Sequence, residues 1–527
     1  MATQLKLCFI YLILLSWCKA GLADGLPKIA LLALSVIIIG NLIYNKFWLN
    51  FQNFFGLFFL LPILFIFIIS YLNPSYNWLT LGQVKDLNFI ENLSSSKNID
   101  SALTVSKRFK ILLNEELSKE YKLALFLDLK NSFDNDLINE KDPNIVNFLN
   151  ECETLIKNDK INYLPSVTIR SEDLISNFYF FFFALLLGLL IKTYAKSEDL
   201  ISIACYIIAL NCTILSIVGI IQKINFVPFQ VGSEILGVWE APEPRYFFSS
   251  FTYKNHWALY ALVSLCATSY LIFKKISIWG TLFYRSKEIN FLIISAIPII
   301  LSIPYSGSRS GTFILSILLI YMMFITLKYC FNFRSHLTLL ILPLVITIVL
   351  AVGTIFLFGK NKVVKEMLNV SSMQLTSISE GKMPYRWSLW IDAWKTYEAS
   401  PIFGHGYNSY SAINPKYQLV ESKRERLEAA QFAHTPYIPL TAHAHNEYLE
   451  WMCEWGFIAL VLFIAPLIIY HFSIFLGGYS PETKLLCLGS IAFFAYCLVD
   501  FPSRTPACLA LVSLNSGLVF ASIRSKR

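Results

Sequence analysis

Apolar runs long enough to cross about 30 Å of hydrocarbon recur along the whole chain, at residues 29–44, 51–72, 174–191, 200–221, 257–273, 289–305, 312–328, 337–358, 448–470, 485–499 and 507–523. They leave the chain few ways to fold. In lipid, backbone groups have no water to bond, so a spanning segment closes its own hydrogen bonds as a helix or joins a closed barrel. These runs are continuous rather than alternating, which selects helices. A further run, residues 5–22, carries Lys19 and ends in Gly21-Leu22-Ala23, which also reads as a signal-peptide cleavage site. A retained first helix is the favoured reading, for a total of about twelve spans.

With 56% hydrophobic and 15% aromatic residues among 527, the chain carries more apolar surface than a soluble core can use. The expected fold is therefore all-α, a polytopic membrane protein. The net charge of +8 does not indicate a nucleic-acid partner, because the basic residues lie largely in short loops. With both ends in the cytoplasm, Lys46, Lys192, Lys196, Lys274, Lys275, Arg285, Lys287, Arg334 and the tail Arg524-Ser525-Lys526-Arg527 all fall inside, as the positive-inside rule requires. Lys28, Arg309 and Arg504 are exceptions. Two long polar segments then fall on the outer face, roughly 73–173 and 359–446, with a shorter one at 223–255. The expected division is 1–72 N-terminal helices, 73–173 a mostly helical outer insertion, 174–358 a transmembrane core, 359–446 an outer loop domain with an interfacial helix, and 447–527 the C-terminal helices.

Of eleven cysteines only Cys152 lies well inside a long polar segment, and no CxxC pair occurs. Neither a disulfide framework nor a zinc ribbon is indicated.

The polar residues at the outer ends of the spans are the candidates for chemistry, since ionisable groups near hydrocarbon are costly unless paired, solvated or functional. Pro384 opens a helix on which Trp387, Trp390 and Trp394 follow i, i+3 and i+7, an aromatic face suited to the membrane interface. Arg386 at its start is placed for an anionic headgroup, which a guanidinium binds through paired hydrogen bonds; snorkelling or pairing with a carboxylate is the plainer alternative. Arg309 lies in the small-residue break Ser306-Gly307-Ser308-Arg309-Ser310-Gly311, where small side chains let a ligand approach closely. It is either a phosphate ligand or an orientation-setting charge, although the latter runs against the usual bias.

In Ala442-His443-Ala444-His445-Asn446-Glu447, His445 sits at or just before a helix N-terminus. A neutral imidazole there can accept a proton from an attacking hydroxyl, and a cap or surface role is the alternative. Five of the seven histidines (His256, His405, His434, His443, His445) fall on or beside the outer face. Glu447, Glu450 and Glu454 share one helical face and can orient a histidine or bind sugar hydroxyls. Because no HExxH spacing is present, His443, His445 and Glu447 are not read as a metal site. Lys254 and His256 open another span near Arg245 and can extend an anion site, and Asp500 with Arg504 reads as a structural pair.

Residues 251–257, Ser308-Arg309-Ser310-Gly311, Arg386 with its tryptophan helix and Pro401–Gly406, Ala444-His445-Asn446-Glu447-Tyr448-Leu449 followed by Gly456, and Asp500-Phe501-Pro502 resemble, in this order, the O-antigen ligase and polymerase superfamily of bacterial envelope glycan enzymes. The resemblance covers roughly residues 211–522. It implies a helical glycosyltransferase of the bacterial inner membrane, with its active site facing the periplasm and the two outer segments periplasmic. Such an enzyme takes a glycan from an undecaprenyl diphosphate carrier and joins it to lipid A-core or another envelope acceptor, with membrane lipids as its surroundings and with no metal or cofactor. By motif, Arg309 and Arg386 fall at the diphosphate and His445 at the acceptor hydroxyl, with Lys254, Arg245, His256, His443 and Glu447 as supporting candidates. Relatives often have arginine at Lys254, and the insertion at 73–173 is longer than the family expectation. A polysaccharide polymerase or a protein O-oligosaccharide ligase would use the same donor chemistry. A lipid or glycan transporter, the reading from another class, calls instead for charges and broken helices at mid-depth.

Overall fold

In the computed structural model, the described residues are 3–44, 171–224, 234–241, 246–279, 286–332, 385–417, 419, 422 and 441–525. The chain forms two compact units, one of Met1–Leu61, Asn177–Lys382 and Phe463–Arg527, the other of Pro62–Ser176 and Met383–Leu462. The expected spans at 51–72 and 337–358, and nearly all of the 73–173 insertion, lie outside the described residues.

Helices dominate, as the continuous apolar runs require. They are α1 (Thr3–Trp17), α2 (Leu26–Tyr44), α3 (Ser171–Tyr194), α4 (Glu198–Ile224), α5 (Lys254–Trp279), α6 (Lys287–Tyr305), α7 (Arg309–Asn332), α8 (Tyr385–Glu398), α9 (Tyr410–Tyr417), α10 (Glu447–Ala459), α11 (Ala465–Leu476), α12 (Pro481–Tyr496) and α13 (Pro506–Ser525). Two-residue strands, β1 (Glu234–Ile235) and β2 (Trp239–Glu240), pair antiparallel. Leu236 and Gly237 turn between them with φ of 55° and 70°.

Six of the described helices are long and apolar enough to cross a membrane: α2, α4, α5, α6, α7 and α13. The other expected spans take different forms. The first run folds as a 15-residue helix that ends at Trp17, because Lys19 and Ala20 take left-handed backbone. The run at 448–470 is two helices rather than one: Gly456 leaves helical geometry, with φ 72° and ψ 178°, and a π-helical turn at Leu460–Ile464 precedes α11.

In the first unit α5 is the central element, in contact with α4, α6, α7, α12 and α13. Its residues from Trp257 to Ala267 are buried almost without interruption, which suits a helix apolar on all sides. Its hydroxyls bond their own helix, Ser264 to the Tyr260 carbonyl at 2.9 Å, Thr268 to Ser264 at 2.9 Å and Ser269 to Leu265 at 2.7 Å. That satisfies them without water. Asn211 ties α4 to α1 and α5: its Nδ2 donates to Ser16 Oγ (2.9 Å) and Tyr260 Oη (3.0 Å), and its Oδ1 accepts from Trp17 Nε1 (2.9 Å).

The two ends of α5 differ in charge chemistry. At its C-terminal end Lys274 pairs with Glu198 at 3.1 Å and Lys275 with Glu288. Both acids lie in first turns, of α4 and α6 respectively, where the helix dipole favours an anion. Lys254 opens the opposite end.

Close helix packing in this unit depends on small residues, as expected where apolar surroundings give no hydrophobic drive to association. A Cβ at Gly517 of α13 would overlap the carbonyl of Gly188 in α3, and one at Gly188 would overlap that of Ser513. Gly517→Val is expected to lower stability by about 1–3 kcal/mol, read as a fall in the thermal unfolding midpoint in detergent; an unchanged midpoint would refute the close crossing.

Candidate active site

The residues expected to carry chemistry are divided between the two units. Lys254, His256 and Arg309 belong to the first; Arg386, His443, His445 and Glu447 belong to the second. Arg245 lies outside the described residues.

In the first unit the polar cluster forms where the chain leaves helical structure. Phe248 and Phe251 exchange backbone hydrogen bonds at 2.9 Å each around Ser249, whose φ is 53°. This turn delivers Tyr253 and Lys254 to the start of α5. Lys254 Nζ lies 5.0 Å from the centre of the Tyr246 ring, a cation–π distance. Asn255 Nδ2 donates to Asp500 Oδ2 and, at 3.1 Å, to Tyr253 Oη. Asp500, fully buried, also accepts from the Phe501 amide at 3.0 Å. His256 is buried, with Nδ1 2.6 Å from Thr505 Oγ1 and its ring edge-on to Phe501. The Asp500 and His256 positions therefore knit α5 to the 500–505 turn.

Arg309 begins α7 and is half-buried. Gly307, with φ 80°, makes the turn before it. Ser308 Oγ accepts from the Gly311 amide at 3.2 Å, as an N-cap serine does, and lies 2.8 Å from Tyr496 Oη. These contacts fix the first turn of α7, and so the backbone that carries Arg309.

In the second unit α8 separates its faces as its sequence pattern requires. Leu389, Asp392, Ala393 and Thr396 are buried, whereas Trp387 and Trp394 are 58% and 46% exposed. Trp390 is half-buried. Arg386 is the second residue of the helix and half-buried. Asp392 Oδ1 accepts from the Leu419 amide at 2.8 Å, so this buried carboxylate holds the chain after α9.

Asn446 caps α10: its Oδ1 accepts from the Leu449 amide at 3.2 Å. His445 thus stands just outside the helix, half-buried, on left-handed backbone with φ 51°. Glu447, Glu450 and Glu454 are all buried. Glu450 meets His443 Nδ1 through Oε2 at 3.1 Å and accepts from the Ala444 amide through Oε1 at 2.8 Å. Glu454 Oε1 faces the Tyr410 amide at 3.4 Å, at the start of α9.

The segment Pro401–Gly406 runs beside the end of α10. Gly406 N donates to Glu454 O and His405 N to Cys453 O, both at 2.7 Å, and Phe457 N donates to Pro401 O at 2.8 Å. His405, counted above among the outer-face histidines, is 2% exposed with Nε2 2.8 Å from the Thr396 carbonyl; it joins this segment to α8. By helical spacing Glu450 shares a face with Glu447 and Glu454, and of the three Glu450 is the one that meets His443. The available signal was its position four residues after the Asn446 cap, one turn into the helix.

The first unit thus presents Lys254 and Arg309 at helix starts, and the second presents Arg386 at the start of α8 and His445 just ahead of α10. Residues 294–464 match the family model described as O-antigen ligase, so over that region the chain is similar to this family. The match takes in Arg309, Arg386, His443, His445 and Glu447, and leaves out Lys254, Arg245 and His256. An uncharacterized protein of Haemophilus influenzae is 27% identical over 250 residues, which are 45% of this chain and 56% of that protein. The chain thus spans about half the length of the relative it matches. No solved structure matches.

Gly404 and Gly456 allow the backbone pairing in the second unit. Both have positive φ, of 69° and 72°. A Cβ on Gly404 would overlap the backbone of Glu454, and one on Gly456 the backbone of Ile402. Gly456→Ala is expected to cost about 3 kcal/mol, from backbone strain together with overpacking. The check is the thermal unfolding midpoint of the purified variant, and a wild-type midpoint would show that the pairing does not form.

Proposed function

We propose that the protein is a metal-independent glycosyltransferase of the O-antigen ligase type. It transfers a glycan from an undecaprenyl diphosphate carrier to an acceptor hydroxyl, lipid A-core or another envelope acceptor, at the periplasmic face of the bacterial inner membrane. The observation that carries this reading is the match of residues 294–464 to the O-antigen ligase family model, a range that includes Arg309, Arg386 and His445. The inward bias of basic residues supports the orientation. The exposed indoles of Trp387 and Trp394 suit a helix lying at the membrane interface.

In this mechanism the acceptor oxygen bonds to the anomeric carbon while the bond from that carbon to the diphosphate oxygen breaks. The hydroxyl proton passes to the His445 imidazole, and the departing diphosphate keeps the bonding electron pair. Arg309 and Arg386 stabilise its growing charge, which is where fixed cations contribute most. His445 contributes as a general base.

The test is transfer by purified protein in nanodiscs, from an undecaprenyl diphosphate-linked glycan to lipid A-core, with EDTA present. Wild type is expected to transfer, and His445→Ala, Arg309→Ala and Arg386→Ala each to lose at least about 10²-fold in kcat/KM. Elongation of the donor without lipid A-core would identify a polymerase instead. Equal inertness of folded wild type and variants would refute the enzyme reading.

A further inference from the structure

His445 occupies strained backbone, and left-handed φ at a residue with a side chain persists only where the flanking chain is held. On the C-terminal side Asn446 is held as the cap of α10. On the N-terminal side the contact comes from one turn into the same helix. Glu450 reaches back and uses both carboxylate oxygens, Oε1 on the Ala444 amide at 2.8 Å and Oε2 on His443 Nδ1 at 3.1 Å. Ala444 itself is fully buried in a cluster with Ala393, Tyr410 and Cys453. The carboxylate and the buried methyl therefore fix residue 444 from two directions, and residue 445 inherits its position.

We infer that Glu450 is the positioning residue for His445. It clamps the His443–Ala444 turn and so sets the direction in which the His445 imidazole is presented. The inference rests on the reading of His445 as proton acceptor. Glu454 Oε1, one turn further along α10, is directed at the start of α9. Geometry, rather than charge, is the operative property: both contacts are hydrogen bonds that a side chain of the same length can make. A glutamine keeps the acceptor for Ala444 and offers an amide nitrogen to His443. An alanine makes neither contact.

The experiment uses the full chain in nanodiscs with two readouts. The first is hydrogen exchange of the peptide containing Ala444, which needs no substrate. Glu450→Ala is expected to speed exchange there at least about tenfold, and Glu450→Gln to stay near wild type. The second is steady-state transfer with the undecaprenyl diphosphate-linked glycan and lipid A-core. Glu450→Ala is expected to lower kcat about 10²-fold, as a small misplacement of a reacting group does, with KM for the donor changed by less than about threefold. Glu450→Gln should restore most of the loss. Exchange at Ala444 as fast in wild type as in Glu450→Ala overturns the clamp. So does wild-type kcat in Glu450→Ala, or a loss in which KM rises in step and glutamine gives no rescue. Wild type that is inert toward the donor while Ala444 stays protected overturns the glycan-transfer reading and leaves the clamp standing.

Discussion

A backbone amide that enters hydrocarbon has to find its carbonyl within the same segment or on another that encloses it, and the rest of this protein follows from how the chain meets that demand. In α4, α5, α6, α7 and α13 it is met by helix, with serine and threonine hydroxyls returned to the preceding turn. Among the described residues, departures from helix set up the charged and titratable positions. The break at Ser306–Ser308 precedes Arg309, the turn at Phe248–Phe251 precedes Lys254, and the turn through His445 precedes α10. Each releases backbone groups to new partners and places a cationic or titratable residue at or just ahead of a helix start. There the free amides of the first turn favour anions.

The two units meet the demand differently. The first relies on close helix contacts at Gly188 and Gly517 and on the Asn211 node. The second has short helices, and joins them by backbone bonds between Pro401–Gly406 and the far end of α10. A helix that stops at Gly456 leaves carbonyls unsatisfied, and those of Cys453 and Glu454 are taken by the amides of His405 and Gly406. The glycines are thus part of the hydrogen-bond pattern, because a side chain at either would stand where the other segment's backbone runs.

Local signals in the sequence were sufficient for much of this. Apolar length gave α4, α5, α6, α7 and α13, and the tryptophan spacing gave the exposed face of α8. The helix N-terminus expected at or just after His445 is the start of α10. Signals that act between distant segments were not readable. The run at 448–470 has enough apolar residues for one span, and only the partner segment some fifty residues earlier explains why Gly456 interrupts it. His405 looked like a member of an outer-face histidine group, yet its ring is directed at the Thr396 carbonyl inside the unit. Helical spacing put Glu447, Glu450 and Glu454 on one face, but which acid meets which loop depends on where that loop returns. The motif order around Arg309, Arg386 and His445 was legible; the family match spans residues 294–464 and assigns no role to any one of them.

Burial of three glutamates on one face of α10, together with Asp392 on α8, would be strongly destabilising for carboxylates left without compensation. The contacts indicate how the second unit tolerates them. Glu450 takes the Ala444 amide and His443, Glu454 faces the Tyr410 amide, and Asp392 takes the Leu419 amide. Glu450, Glu454 and Asp392 each meet a backbone amide, at Ala444, at the start of α9 and just after α9. Through these hydrogen bonds the buried acids act as anchors for the chain around them. The same arrangement would supply the fixed placement that the proposed reaction asks of His445. Its backbone is held from the helix that follows it, by side chains whose own positions are fixed by burial, and precise placement needs that kind of support.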